Sequence, residues 1–257
     1  MDLGIRGRVA LVCASTAGLG EATARALAAE GARVVISGRR GGVAKAIAAE
    51  LPEAVGVEVD LTAPDGPRNL VAATREAFGP VDILVTNSPG PPPGGSADID
   101  DEAIVTAMEA LVLPHQRLVS LVLPGMRERG WGRILAIASV GVVAPIPSLA
   151  LSNIGRAALG GYLKTLATEV AGDGVTVNLL LPGRIETART LQMNTFRAER
   201  EGMPVEEFSA RAQAAIPAGR YGRPAEFGAL AAFLCGESAA YVTGTAIRCD
   251  GGAVPTL

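Results

Sequence analysis

Short apolar runs alternate along the chain with longer segments in which apolar residues recur at helical spacing. The first run covers residues 9–13, and a helical pattern follows it through Glu30. Strands and helices that alternate in this way form a parallel sheet with helices on both faces. The sequence therefore predicts an α/β fold, with a doubly wound parallel sheet of about seven strands. We expect a single domain over residues 1–257.

Helical spacing extends furthest in two segments, at about residues 100–129 and 151–171. Pro114 lies within the first segment, where we expect it to disturb the helix, because proline lacks a backbone N–H. Residues 184–217 are polar and helical in pattern, without a predicted strand. Because long insertions at a ligand-binding edge are usually functional, we predict a substrate lid here, with a plain helical excursion as the alternative. The predicted strands are residues 9–13, 33–37, 54–59, 81–85, 133–138, 175–181 and 245–248.

The turn after the first strand contains Gly18 and Gly20, and a helix follows at once. Glycine lets the backbone approach a pyrophosphate closely, and the free N–H groups of the first helical turn face the anion. This turn is therefore a candidate phosphate cradle. An ordinary strand-to-helix turn is the alternative, because the strict Gly-x-Gly-x-x-Gly spacing is absent.

Every stretch of unusual composition comes directly after a predicted strand. These stretches are residues 14–20, 38–40, 60–62, 86–95, 139–148 and 182–187. Parallel strands end at one edge of a sheet, and ligands bind outside the carboxyl ends of the strands. We therefore expect all six stretches to meet at the carboxyl edge of the sheet and to form one binding site.

Composition excludes several classes of function. The net charge is −3, so the chain has no basic surface for nucleic acid or anionic lipid. The apolar runs are much shorter than the about 18–20 residues that span a bilayer. The chain begins almost directly with the first predicted strand and shows no signal-peptide pattern. We expect a cytoplasmic protein with no nucleic-acid or membrane partner.

The cysteine and histidine content argues against a metal site. Cys13, Cys235 and Cys249 are widely spaced and odd in number, which fits neither a disulfide framework nor a zinc site. We interpret them as reduced thiols. His115 is the only histidine, so we expect neither a histidine-based metal site nor a Ser-His-Asp triad.

Six stretches match, in order along the chain, the motifs of one known family. They are residues 13–20, Asp60, 86–89, 182–187, 219–226 and 250–252. On these residues the chain resembles the short-chain dehydrogenase/reductase family over essentially its full length. The resemblance implies a Rossmann-type fold and a nicotinamide dinucleotide cofactor. The cofactor-binding positions that it implies are Ser15, Thr16, Gly18, Leu19, Gly20, Asp60, Leu61, Asn87, Ser88, Pro182, Gly183, Ile185 and Thr187.

The end of the second strand bears on the choice of nicotinamide cofactor. An acid there holds the ribose hydroxyls of NAD(H), but this chain has Gly38, Arg39 and Arg40. Arginine matches a 2′-phosphate in geometry and charge. We therefore expect NADP(H), with Arg39 at the phosphate. If both arginines are only solvated, NAD(H) is the alternative.

The catalytic positions depart from the family. The resemblance implies four groups: a serine that binds the substrate oxygen, a tyrosine that exchanges the alcohol proton, a lysine that lowers the phenol pKa, and an asparagine in the preceding helix. Ser139 matches the serine. Ser152 stands at the tyrosine position and Arg156 at the lysine position. Alignment of the preceding helix puts Leu111 at the asparagine position.

These changes remove the usual proton donor. A serine hydroxyl is much less acidic than a phenol, whose pKa is about 10, and arginine does not deprotonate in practice. Ser152 and Arg156 are four residues apart, so they share a helical face and one pocket. With Ser139 they form an anion or oxyanion site without an obvious acid. We favour a water bound near Ser152 as the proton donor. The other candidate donors are His115, Tyr162 and Tyr221.

Three functions fit this scaffold. We favour an NADP(H)-dependent oxidoreductase of small carbonyl or alcohol compounds with a rearranged proton path. One alternative is a non-redox lyase or dehydratase that uses the Ser139, Ser152 and Arg156 pocket. The other is a non-catalytic, cofactor-binding partner subunit. The helices at about residues 100–129 and 151–171 resemble the family's dimer faces, so we expect a homodimer or homotetramer.

Overall fold

The computed structural model describes residues 2–97 and 99–256. The strands are β1 (Val9–Val12), β2 (Arg33–Gly38), β3 (Ala54–Glu58), β4 (Ile83–Thr86), β5 (Gly132–Ile137), β6 (Val175–Pro182) and β7 (Ala246–Cys249). They form one seven-stranded sheet in the order β3-β2-β1-β4-β5-β6-β7. All neighbouring strands run parallel. The strand order reverses between β1 and β4, which is where a doubly wound sheet binds its ligand.

Helices connect the strands and cover both faces of the sheet. In the described part of the chain the α-helices are α1 (Gly18–Ala29), α2 (Gly41–Ala49), α3 (Gly66–Phe78), α4 (Asp101–Leu111), α5 (Leu113–Glu128), α6 (Ala150–Val170), α7 (Ala188–Glu201), α8 (Val205–Ala214) and α9 (Pro224–Leu234). Leu27 of α1 and Phe227 of α9 are buried in the core on one face. Leu118 of α5 and Leu163 of α6 are buried in the core on the other face.

The predicted α/β class and doubly wound parallel sheet are confirmed, and the strand ends shift by a residue or two. The predicted strand 81–85 is β4 (Ile83–Thr86), and the predicted strand 245–248 is β7 (Ala246–Cys249). The reason is pairing: a strand ends where its neighbour stops offering hydrogen bonds, and an apolar run alone does not carry that information.

The predicted helical segment at about residues 100–129 is disturbed near Pro114, as expected, but the disturbance divides it into two helices. The segment forms α4 and α5, which meet at Val112 with φ −120° and ψ −58°. Pro114 lies in the first turn of α5, where a missing N–H leaves no bond unmade. A helix that continued from α4 would need the Pro114 N–H for a backbone hydrogen bond. Because proline has none, α4 ends and a new helix, α5, begins.

The predicted helical segment 184–217 contains α7 and α8, which pack together around their own small core. Ala198, Phe208 and Ala212 form this core. Tyr221 ties the pair together, because its hydroxyl accepts from Asn194 Nδ2 at 2.9 Å and donates to the Ser209 carbonyl at 3.3 Å. The lid function of this segment stays a prediction. Within residues 2–97 and 99–256 no helix is both long and apolar enough to cross a membrane.

Candidate active site

The loop between β1 and α1 is shaped by close backbone contacts. Ala14 has a positive φ of 45° and Gly18 has a φ of 60°. A Cβ added to Gly20 would lie 2.5 Å from the Ala14 carbonyl oxygen and 2.9 Å from Asn87 Nδ2. Only glycine fits that approach. Within the described residues no side chain caps α1, so no side chain takes up the N–H groups of its first turn. The geometry suits an anion.

Two predicted cofactor-binding residues, Ser15 and Leu19, have side chains that contact the protein interior and stabilise the loop. The Ser15 hydroxyl is fully buried, donates to the Val12 carbonyl at 2.7 Å and accepts from Ser37 N at 2.9 Å. Leu19 packs partly buried against the core on the α1 side. These contacts hold the loop in place from below, and its backbone is the part that faces outward.

Thr16 is held by Arg40, and not by Arg39, the arginine that the sequence predicts at the 2′-phosphate. Arg40 donates to the Thr16 carbonyl at 2.7 Å and to its hydroxyl at 3.1 Å. Arg39 is exposed at the end of β2. It lies close enough to Asp60 for its charge to help lower the pKa of that carboxyl, whose main partner is the Thr62 hydroxyl.

The end of β4 contacts the glycine loop directly. Asn87 donates through Nδ2 to the Ala14 carbonyl at 3.2 Å. Ser88 follows, and its hydroxyl is buried. Leu61, after β3, is partly buried against the core on the α5 and α6 side of the sheet. The Asn87 bond places the stretches after β1 and β4 next to each other, as expected for the carboxyl edge.

The stretch after β6 closes the other side of the same edge. A Cβ added to Gly183 would lie 2.6 Å from Asp250 Cα, so the chain needs glycine after Pro182. Ile185 is buried and pairs with Gly222. Thr187 caps α7 by accepting from Thr190 N at 3.2 Å. The methyl group of Thr187 lies 3.7 Å from the Cβ position of Gly18, which brings this stretch to the glycine loop.

The three predicted catalytic residues lie on β5 and α6. Ser139 follows β5, and its Oγ accepts from Gly141 N at 3.0 Å. Ser152 is half-buried in the first turn of α6, one turn before Arg156. Because the Ser139 oxygen already accepts one hydrogen bond, its own O–H is available to donate.

Arg156 is buried beneath this site. Its Nη1 donates to the Ile137 carbonyl at 3.0 Å, and its Nη2 donates to the Ser88 carbonyl at 3.3 Å. The guanidinium therefore links the carboxyl ends of β4 and β5. Burial, and secondarily the charge of Arg189, lowers the pKa of Arg156 to about 10. The group stays positive at neutral pH and gives the floor of the site a positive charge.

Asn153 is a positioning residue that sequence reasoning missed. Its side chain donates to the Ile146 carbonyl at 3.0 Å and accepts from Ile146 N at 3.3 Å. These two bonds fix the loop between β5 and α6. The signal was present: Pro145 and Pro147 lack N–H groups, so this loop needs a side chain to hold its backbone.

The residue at the predicted asparagine position, Leu111, and the alternative proton donors lie in different parts of the fold. Leu111 is buried against α6, with its Cδ1 2.6 Å from the Cβ position of Gly155. His115 is buried one turn later, with Nδ1 2.9 Å from the Leu111 carbonyl oxygen. Tyr162 packs partly buried against the core, where burial raises its pKa. Tyr221 belongs to the α7–α8 pair.

A family model described as enoyl-(acyl carrier protein) reductase matches residues 13–254. Known proteins also resemble this chain over nearly its full length, among them the following three. Dehydrogenase/reductase SDR family member 4 of Bos taurus is 34% identical over 255 residues, which covers 97% of this chain and 88% of the relative. D-beta-hydroxybutyrate dehydrogenase of Cupriavidus necator is 34% identical over 258 residues, covering 96% and 98%. The crystal structure of L-sorbose reductase from Gluconobacter frateurii, complexed with NADPH and L-sorbose, matches with a TM-score of 0.93, 34% identity and full coverage of both chains.

Proposed function

The chain belongs to the short-chain dehydrogenase/reductase family, and on this premise we propose that it is an NADP(H)-dependent oxidoreductase that interconverts carbonyl and alcohol groups. The observation that carries the proposal is the fit of Gly20 beneath Ala14 and Asn87, which leaves the α1 N-terminus open to a pyrophosphate.

The proposed cofactor contacts follow the carboxyl edge. The backbone of the glycine loop would hold the pyrophosphate, with Thr187 closing over it. Arg39 would take the 2′-phosphate, since it is exposed beside the adenine-side Asp60 and is not engaged by Thr16 as Arg40 is. Asn87 and Ser88 would line the nicotinamide end.

When bound, the cofactor supplies or accepts the hydride. The chain's own residues bind the substrate and move the proton. Ser139 donates its O–H to the carbonyl oxygen, because its Oγ already accepts from Gly141 N. Arg156 stabilises negative charge on that oxygen from the floor of the site. The proton comes from a water held near Ser152, because Arg156 stays protonated at neutral pH.

The test restores the family's groups. A Ser152→Tyr/Arg156→Lys double variant, screened with NADPH against small ketones and aldehydes, is expected to reduce carbonyls faster than the wild type. Tyrosine supplies an acid, and lysine lowers its pKa. Ser139→Ala in the same background is the control and should lower the rate by about 100-fold.

Three outcomes would contradict the proposal. If the wild type transfers no hydride, even where the double variant does, the oxidoreductase proposal fails. If product forms equally well without NADPH, the non-redox lyase or dehydratase reading replaces it. A cofactor-binding oligomer that is inert alone but changes the activity of a second protein would favour the partner-subunit reading.

A further inference from the structure

Three buried polar atoms near the carboxyl end of β4 have no hydrogen-bond partner within the described part of the chain. They are Thr86 Oγ1, Ser88 Oγ and His115 Nε2. Such atoms are rare, because a buried polar group without a partner costs about 1–3 kcal/mol. Two of them lie at or just after the end of β4 and the third lies on α5, which calls for a common explanation.

The three residues lie where the end of β4 meets the start of α5. Leu84 of β4 and Leu118 of α5 belong to the same core. Side chains two apart on a strand point to the same face, so Thr86 points with Leu84. His115 lies one turn before Leu118 and is buried. The backbone of Asn87, between Thr86 and Ser88 in the chain, lies against the imidazole, so the end of β4 adjoins the ring.

The break between α4 and α5 fixes the imidazole. It leaves the Leu111 carbonyl to His115 Nδ1, at 2.9 Å. A carbonyl oxygen only accepts, so Nδ1 carries the hydrogen and Nε2 is left with a lone pair. Burial has the largest effect on the His115 pKa and, together with the charge of Arg156, lowers it to about 4. The backbone carbonyls of Leu111 and Asn87 act in the opposite direction and raise it. The ring is therefore neutral at neutral pH.

This region adjoins the candidate active site. Arg156 donates to the Ser88 carbonyl at 3.3 Å, and Ser152 lies one turn before Arg156 on the same face of α6. The other titratable and charged groups nearby are the Cys13 thiol of β1, which lies against the Asn87 backbone, and Arg189 beyond Arg156. Burial raises the Cys13 pKa to about 12, so that thiol stays protonated.

We propose that His115 is a positioning residue whose Nε2 anchors a buried water shared with the hydroxyls of Thr86 and Ser88, and that this water resupplies protons to the Ser152 site. A water can donate to Nε2 and also bond both hydroxyls, which matches the usual three partners of a buried water. The second half rests on the proposed function. Each reduction adds a hydride to the carbonyl carbon and a proton to its oxygen, so one proton must enter the site per turnover.

The first test uses the fact that His115 is the only histidine. NMR of protein labelled with 15N-histidine reports a single imidazole at neutral pH. We expect the neutral Nδ1–H tautomer, an Nε2 signal typical of a hydrogen-bonded acceptor, and magnetisation transfer from water. Ser88→Ala should shift the Nε2 signal, whereas Ser120→Ala, on the exposed side of α5, should not.

The wild-type spectrum alone decides the water site, even if Ser88→Ala does not fold. An imidazolium, an Nε2–H tautomer, or a free Nε2 acceptor without transfer from water would overturn the proposal. An Nε2 signal that is the same in the wild type and a folded Ser88→Ala protein would also overturn it.

The second test separates proton supply from structure. The asparagine amide of His115→Asn lies near the Nδ1 position and loses the Nε2 acceptor, whereas the longer glutamine of His115→Gln reaches the Nε2 position. We expect His115→Asn to lower kcat about tenfold with unchanged NADPH affinity, and His115→Gln to recover most of it. A wild-type rate for His115→Asn, or equal losses in both variants, would overturn the proton role. If the wild type reduces no carbonyl, the proposed function and the proton role both fail, while the NMR result on the water site still stands.

Discussion

Arg156, which the sequence predicts at the position of the family lysine, donates hydrogen bonds to two backbone carbonyls beneath the candidate site. A lysine ammonium is a single point and cannot span the same two carbonyls in a planar fork. The predicted exchange would therefore strengthen the link between β4 and β5 and remove a group that can take part in proton transfer. Ser152, predicted at the tyrosine position one turn away, would likewise remove the acid that such a lysine assists.

Gly20→Ala tests the shape of the glycine loop. Its Cβ would meet the Ala14 carbonyl oxygen at 2.5 Å, and backbone cannot move aside cheaply. We expect NADPH affinity to fall by about tenfold or more, which is about 1.4 kcal/mol, as measured by fluorescence titration.

The matched control is Gly161→Ala on the exposed side of α6, where nothing lies within 4 Å of the added Cβ. This change should leave NADPH binding intact and stabilise the helix by about 0.5–1 kcal/mol. Equal NADPH affinity in Gly20→Ala and the wild type would show that the loop does not bind the cofactor.

At the scale of elements, periodicity predicted the long helices and the parallel sheet, because each buries one continuous apolar face. The α4–α5 break at Val112 left no mark in the periodicity, since apolar spacing continues on both sides of it, and Pro114 alone indicated a disturbance there. Periodicity also missed what holds the loop after β5, because Asn153 acts through hydrogen bonds to the backbone of Ile146. Such bonds leave no periodic signal.

Asn153→Ala tests that loop. The variant loses two hydrogen bonds, which should destabilise the protein by about 1–2 kcal/mol and lower the melting temperature by about 2–8 °C. Amide hydrogen exchange at Ile146 should speed up with it. Asn69→Ala, on the exposed face of α3, is the control and should change neither value. Unchanged exchange at Ile146 in Asn153→Ala would mean that other contacts hold the loop.

At the scale of the whole molecule, the strand order brings the glycine loop and Asn87 together, because β1 and β4 are neighbours although about 70 residues separate them. The position of the site was predictable from this rule alone. The state of its side chains was not, because burial of Arg156 and His115 depends on packing among β4, α5 and α6.

The same scale raises the question of assembly. Val105 of α4 is 56% exposed and Leu113 of α5 is 38% exposed, on the helices where the sequence predicts a homodimer or homotetramer. Val105→Glu/Leu113→Glu should therefore dissociate the assembly, as measured by light scattering during gel filtration. Leu191→Glu on α7 is the control, since Leu191 is equally exposed at 59% but lies outside those helices. A monomeric wild type, or dissociation by the control, would contradict the prediction.

The central claim is that this chain binds NADP(H) at the carboxyl edge of its sheet, and calorimetric titration with NADPH and then NADH tests it most directly. We predict that NADPH binds with a dissociation constant of about 1–10 μM, near −7 to −8 kcal/mol, and that NADH binds much more weakly. Arg39→Ala should remove most of this preference, while Arg68→Ala, an exposed arginine on α3, should keep it. Binding of neither nucleotide, or equal binding of both by the wild type, would contradict the account.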